Sequence, residues 1–137
     1  MTTKLDIYRD FMGPAQREAI REACMGEEGA YFSAKLRDIL TLIEGMPKTY
    51  EQDGLGMQAI AHLHYFTGSC DWYIAEKDVE TPDESGQHQA FGWADLGYGG
   101  ELGYISITEL IANGAELDLY FTPKPLAVLV EREQQAA

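Results

Sequence analysis

Apolar positions in the first third of the chain recur at helical spacing. Leu5, Tyr8, Phe11 and Met12 share one face and predict a short helix over 4–12, ending before Gly13 and Pro14. Proline at a first position and glycine just past the end bracket a second helix, Pro14 to Met25, with the stripe Ala15, Ala19, Ile20, Ala23 and Cys24. Its other face, including Gln16, Arg17, Glu18, Arg21 and Glu22, reads as a solvated, salt-bridged surface. Residues 26–29 read as a loop. Ser33 is then the expected N-cap of a third helix over 34–44, in which Leu36, Ile39, Leu40 and Ile43 face a core and Gly45 and Pro47 mark the stop.

After an irregular connector over 48–56, the period drops to two. Residues 59–66 alternate as a half-buried strand, Gly68-Ser69 closes a hairpin, and residues 71–76 return. Residues 91–96, a glycine-rich turn over 97–100 and residues 101–105 make a second hairpin, and residues 116–121 make a last strand ended by Pro123. The stretch 77–89 has one apolar residue and reads as an exposed loop. Ser106 and Glu109 have capping-box spacing for a short helix that stops at Asn113-Gly114, and Pro125 starts a C-terminal helix with the stripe Leu126, Leu129 and Val130, beyond which 134–137 should fray. Gly103, inside a strand, predicts a bulge or a close backbone approach. The fold class that follows is α+β: an antiparallel sheet of about five strands, two hairpins plus a last strand, packed on its apolar face by N-terminal and C-terminal helices. One folding unit is expected, with a helical segment over 1–45, the sheet over 46–126, and the C-terminal helix and tail over 127–137.

The two-residue turn also sets a register. Thr67 should pair with Cys70, Phe66 with Asp71, Tyr65 with Trp72, His64 with Tyr73 and Leu63 with Ile74. Leu63, Tyr65, Trp72 and Ile74 then face the core, while His62, His64, Phe66, Asp71 and Tyr73 form an opposite, more polar face.

At 137 residues the chain has the size of one domain, and its 45% hydrophobic content is that of a folded protein. No apolar run is long enough to span a bilayer and the N-terminus lacks the pattern of a signal peptide, so no membrane contact and a cytoplasmic location are expected. In that compartment Cys24 and Cys70 are expected as reduced thiols. Charge changes the picture more. Of the net −13, residues 1–50 supply seven Lys or Arg against eight Asp or Glu, and residues 51–137 supply three against fifteen. Between Ala59 and Pro123, Lys77 is the sole basic residue and faces eleven carboxylates. Such a surface repels phosphate backbones, which argues against direct nucleic-acid binding.

The residues Trp72-Tyr73, Phe91-Gly92, Glu101-Leu102-Gly103-Tyr104, Glu109-Leu110 and Asp118-Leu119-Tyr120-Phe121-x-Pro123 resemble the bacterial family catalogued as domain of unknown function 2958, over roughly Met46 to Leu126. The resemblance implies carriage on plasmids, integrative elements and phages, with no activity or catalytic residues to carry over. Leu117 stands where many relatives are expected to have an arginine before the Asp-Leu-Tyr run.

Candidate chemistry is sparse. His62 and His64 share a strand face and could supply two metal ligands, with Asp71 or His88 as a third, though ordinary histidines of that polar face explain them as well. Cys70 as a nucleophile is opposed by its register and by the neighbouring Asp71. Glu76, Asp95, Glu101 and Asp118 show no spacing that singles out an acid and base, and the glycines from Gly92 to Gly103 have no cation or helix start with which to cradle a phosphate. Trp72, Trp93, Tyr104 and Tyr120 could stack bases but lack accompanying cations, so a core role fits them better. No catalytic residue, metal or cofactor is assigned. The leading expectation is a non-enzymatic acidic protein, an accessory or anti-defence factor that imitates DNA and binds a partner protein with a basic surface through Phe66, Asp71, Tyr73, Glu76, Asp78, Glu80, Asp83 and Glu84. A small metal-dependent enzyme using His62 and His64, or an oligomerisation module such as a homodimer joined through its polar sheet face, are the alternatives.

Overall fold

The computed structural model describes residues 3–78 and 86–136, with side chains through Glu131. Helix α1 (Lys4–Phe11) is capped by Thr3, whose hydroxyl accepts the Asp6 N–H while the Asp6 carboxylate accepts the Thr3 N–H. Helix α2 (Pro14–Met25) has the predicted bounds. Helix α3 (Gly29–Gly45) starts earlier than the Ser33 cap implied. The reason is Gly29: a Cβ there would collide with the Cys24 carbonyl, so only glycine lets the chain turn this tightly out of α2 straight into α3.

The predicted 59–66 strand is broken at His62 into β1 (Ile60–Ala61) and β2 (Leu63–Thr67). β2 pairs with β3 (Cys70–Glu76) in the register that the Gly68-Ser69 turn dictated, Thr67 opposite Cys70 through Leu63 opposite Ile74. Gly68 takes a φ of 54°, the left-handed conformation expected of glycine in such a turn. β4 (Ala90–Asp95) and β5 (Gly100–Ile105) form the second hairpin, and helix α4 (Ile107–Ala112) starts from the Ser106 cap. The last strand is shorter than its alternation predicted. Only β6 (Glu116–Leu117) pairs with β2, because Asp118 turns the chain, accepting the Tyr120 N–H on its carboxylate. A short β7 (Lys124–Pro125) pairs with β1, and helix α5 (Leu126–Ala136) closes the chain, running through most of the segment expected to fray. The main sheet is antiparallel, in the order β5-β4-β3-β2-β6. The fold is therefore α+β, a five-stranded antiparallel sheet with helices packed on it.

Both faces of that sheet are covered. On one, Leu63, Tyr65, Ile74, Ala90, Ile105 and Leu117 meet Ile7, Phe11, Ile39, Leu40 and Ile43 of α1 and α3. The Tyr65 hydroxyl, wholly buried, donates to the Phe11 carbonyl at 2.5 Å, and burial pushes its pKa well above the ordinary value. On the other face, Tyr73 and Ala75 pack with Ala59, Ala61, Leu126 and Leu129. The C-terminal helix thus covers the face expected to be polar, opposite the helices of residues 1–45. The close backbone approach also falls one strand away from its predicted place. A Cβ at Gly92 would strike the Tyr73 carbonyl, whereas a Cβ at Gly103 meets nothing within 4 Å and the pairing of β4 with β5 runs without a bulge.

Among the described residues, no helix is long and apolar enough to cross a membrane.

Candidate functional site

The strand registers align side chains in rows across the second face. Because paired residues share a face, the pairings Glu116–Phe66, Phe66–Asp71, Asp71–Asp95 and Asp95–Gly100 set three carboxylates and one phenyl ring in a single row at the end of the sheet nearest the Gly68-Ser69 turn. The next row inward is His64, Tyr73, Trp93 and Leu102.

His64 joins these rows. Its Nε2 lies 2.7 Å from Asp71 Oδ1 and its Nδ1 lies 3.0 Å from Asp118 Oδ2. A neutral imidazole donates to one of these carboxylates and only a protonated ring donates to both. The ring stacks on Tyr73, with centroids 4.7 Å apart and planes at 16°, and is flanked by Phe66 at 5.7 Å and Phe121 at 5.8 Å. Asp118 is held from three sides. Its N–H donates to the His64 carbonyl at 2.8 Å, its Oδ1 accepts the Tyr120 N–H at 2.9 Å, and its other oxygen faces the imidazole. The motif segments around Trp72-Tyr73 and Asp118–Phe121, far apart in sequence, thereby meet at one histidine.

What this arrangement can do chemically is limited by its own saturation. Both ring nitrogens already face carboxylates, so neither is left to take a proton from a substrate unless Asp71 moves. Two ligands held about 2.0–2.2 Å from a tetrahedral ion stand about 3.4 Å from each other, and the 2.7 Å between His64 Nε2 and Asp71 Oδ1 is instead a hydrogen-bond spacing. Among the described residues no group of three or more His, Cys, Asp or Glu side chains is placed to hold a metal. His62 is half-buried beside the break between β1 and β2, where burial lowers its pKa.

The proposed contact residues separate. Phe66 is 38% exposed and Asp71 half-buried, both in the carboxylate row. Tyr73 and Glu76 correct the expectation, since both are buried and no docking protein can reach them. Tyr73 lies beneath the C-terminal packing. Glu76 instead pins the connector before the sheet: its carboxylate accepts the backbone N–H of Tyr50 at 3.0 Å and of Gln52 at 2.5 Å. The Gln52 amide in turn bridges Ile60 and Ala75. Asp78 is half-buried, and its carboxylate accepts the N–H groups of His88 and Gln89. Glu80, Asp83 and Glu84 lie outside the described residues. Trp72 and Trp93 pack against opposite faces of the sheet, so they do not form one platform with Tyr104 and Tyr120.

Asp95 and Glu116 are the members of the row that sequence reasoning did not place in the contact. Their signal was the hairpin register extended by one strand on each side.

Lys77 is engaged away from the site, whereas Lys124 and Lys35 lie on rings beside it. The Lys77 ammonium donates to the carbonyls of Ile43 at 2.8 Å and Glu44 at 3.1 Å, at the C-terminal end of α3 where the helix dipole favours positive charge. Lys124 lies over the Phe121 ring and donates to the Thr122 carbonyl, and Lys35 lies over Tyr120. Comparison with protein-family models, curated proteins and solved structures finds no match for this chain.

Proposed function

We propose that the chain is a non-enzymatic acidic interaction protein that docks on a basic protein surface through the carboxylate row Glu116, Asp71 and Asp95, with Phe66 as its apolar contact. The observation that carries this reading is the direct cross-strand pairing of Asp71 with Asp95. Like charges placed opposite each other in a sheet cost stability. A fold that keeps such a pair, with a third carboxylate, Glu116, beyond Phe66 in the same row, bears a local conflict of the kind found where a surface serves a partner. The His64 Nε2 faces Asp71 at 2.7 Å, and the Gly97 N–H, 2.8 Å from Asp95 Oδ1, offsets part of the repulsion at Asp95.

The concrete form of the proposal is imitation of a phosphate array. The row would occupy the basic groove of a host nuclease or restriction enzyme, which agrees with the family resemblance and its implied carriage on plasmids or phages. Steering by net charge of −13 would speed the encounter at low salt.

The test is affinity capture from host extract with the wild-type chain and with the variant Asp71→Asn/Asp95→Asn/Glu116→Gln. A nucleic-acid-binding protein is expected on the wild type at about 50 mM salt, reduced on the variant and released by about 500 mM salt. Capture that is indifferent to both salt and variant would end the proposal, as would recovery of no nucleic-acid-binding protein.

A further inference from the structure

The two edges of the main sheet differ. β6 contributes two residues, and its outer side is closed by the side-chain amide of Gln16, which bonds both the N–H and the carbonyl of Leu117. β5 contributes six, Gly100–Ile105, and among the described residues neither a strand nor a side chain hydrogen-bonds the backbone of its outer side, although the Tyr104 hydroxyl shares a hydrogen bond with that of Tyr50 at 2.9 Å. Of the devices that usually blunt an edge it carries one charge, Glu101. It has no lysine, no arginine, no proline, and no bulge in its pairing with β4.

We infer that β5 pairs antiparallel with β5 of a second copy of this chain, joining two five-stranded sheets into one of ten. Extended backbone with unpaired N–H and carbonyl groups is recognised by another extended backbone, and three observations choose a second copy over a cationic peptide. The first is charge: from Gly86 to Thr108 the chain carries two carboxylates, Asp95 and Glu101, so the strand and its hairpin bring few like charges of their own to a second copy, the nearest others to Tyr104 being Asp53 and Glu76. The second is self-complementarity. A two-fold axis perpendicular to the sheet brings residues of like face opposite each other. One such register sets Leu102 against Leu102 and Glu101 against Gly103; the next sets Leu102 against Tyr104, Glu101 against Ile105 and Gly103 against Gly103. In neither does Glu101 meet itself. The third is the apolar exposure at the edge: Tyr104 is 57% exposed and T-stacked on Phe91, while Leu102 shares the same face beside Trp93, so pairing would cover ring and aliphatic surface along with backbone.

The proposed contact differs from the carboxylate row in both place and salt dependence, so the two can fail separately. Docking on a basic partner weakens as salt rises, whereas self-association of a chain with net charge −13 strengthens because salt screens its repulsion.

The experiment is sedimentation equilibrium of the full chain over a concentration series at about 50 and about 500 mM NaCl, with amide hydrogen exchange followed in parallel. The mass is expected to rise from 15.3 kDa toward twice that value, at lower concentration in the higher salt. Alternate amides of residues 100–105 should slow as the dimer forms. The variant Leu102→Lys/Tyr104→Lys places like charges against each other in both registers and should stay monomeric. Where the double variant unfolds, the wild type decides: absence of slowed alternate amides over 100–105 at concentrations where the mass has doubled would place the contact elsewhere and overturn the inference. A mass fixed at 15.3 kDa in both salts, or a dimer that persists in a folded lysine variant, would overturn the inference.

Discussion

The side chain of Gln16 pairs with the backbone of Leu117 as a strand would. Its Nε2 donates to the Leu117 carbonyl at 2.8 Å, and its Oε1 accepts the Leu117 N–H at 3.0 Å, across 101 positions of sequence. A residue read from sequence as part of a solvated helix face is thus the closure of a sheet edge. Gln16→Ala removes both bonds and leaves a partly buried N–H and carbonyl to find water. Each neutral bond is worth about 1 kcal/mol net, so the variant should lose about 2 kcal/mol, read as a lower urea midpoint with an unchanged slope. A loss within about 0.3 kcal/mol would show that water replaces the amide without penalty.

Gly92 and Gly103 sit directly opposite each other in β4 and β5 yet should respond oppositely to the same substitution. At Gly92 a methyl group would be driven into the Tyr73 carbonyl, which is backbone and flanked by close pairing on both sides. Gly92→Ala should cost more than about 3 kcal/mol or prevent folding. At Gly103 the methyl enters open space, and the variant should be neutral or gain about 0.5 kcal/mol from the narrower unfolded ensemble. Thermal unfolding of the two single variants side by side checks both signs.

What could be read ahead of the structure followed from local rules. The β2–β3 register was legible because a two-residue turn leaves no other pairing, and the bounds of α2 because Pro14 and Gly26 punctuate it. The second core was not. Alternation around His64 looked like a solvent face because imidazole and phenol count as polar, although both are amphipathic and pack well against rings. A signal was present in the unbroken run Tyr73-Ile74-Ala75, which is buried on both sides of the strand as expected when a sheet is covered twice. The joining of Asp118 to His64 was beyond local reasoning, since it depends on β6 adding to β2 from fifty positions away and on the chain turning immediately afterwards.

His62 predicts a specific pH response. Burial lowers its pKa below the ordinary 6.5, so the folded protein binds fewer protons here than the unfolded chain once the pH drops under that value. The sign follows from linkage. The stability tied to a neutral His62 is fully present above about 6.5 and is lost as pH falls through the depressed folded value. His62→Gln removes that group, and the melting temperature of the variant should therefore fall less steeply than that of the wild type between about pH 6.5 and 5. Parallel curves across that window would assign the acid sensitivity to other groups.

Asp95 separates stability from binding. Asparagine there still accepts the Gly97 N–H through its side-chain oxygen, so the turn keeps its bond, while the charge opposite Asp71 disappears. Relief of a directly opposed like-charge pair should raise stability by about 0.5 kcal/mol. The carboxylate row loses a third of its charge in the same step, so retention of the captured partner at low salt should fall. Asp71→Asn has the opposite expected effect on the fold, because the lost carboxylate is the one that faces the His64 Nε2 at 2.7 Å, and its removal leaves the ring with a weaker acceptor. Denaturation and salt-dependent capture measured on both variants decide the matter: an Asp95→Asn protein that is less stable than the wild type would mean that the pair is not repulsive in the fold, and would remove the observation on which the proposed docking surface stands.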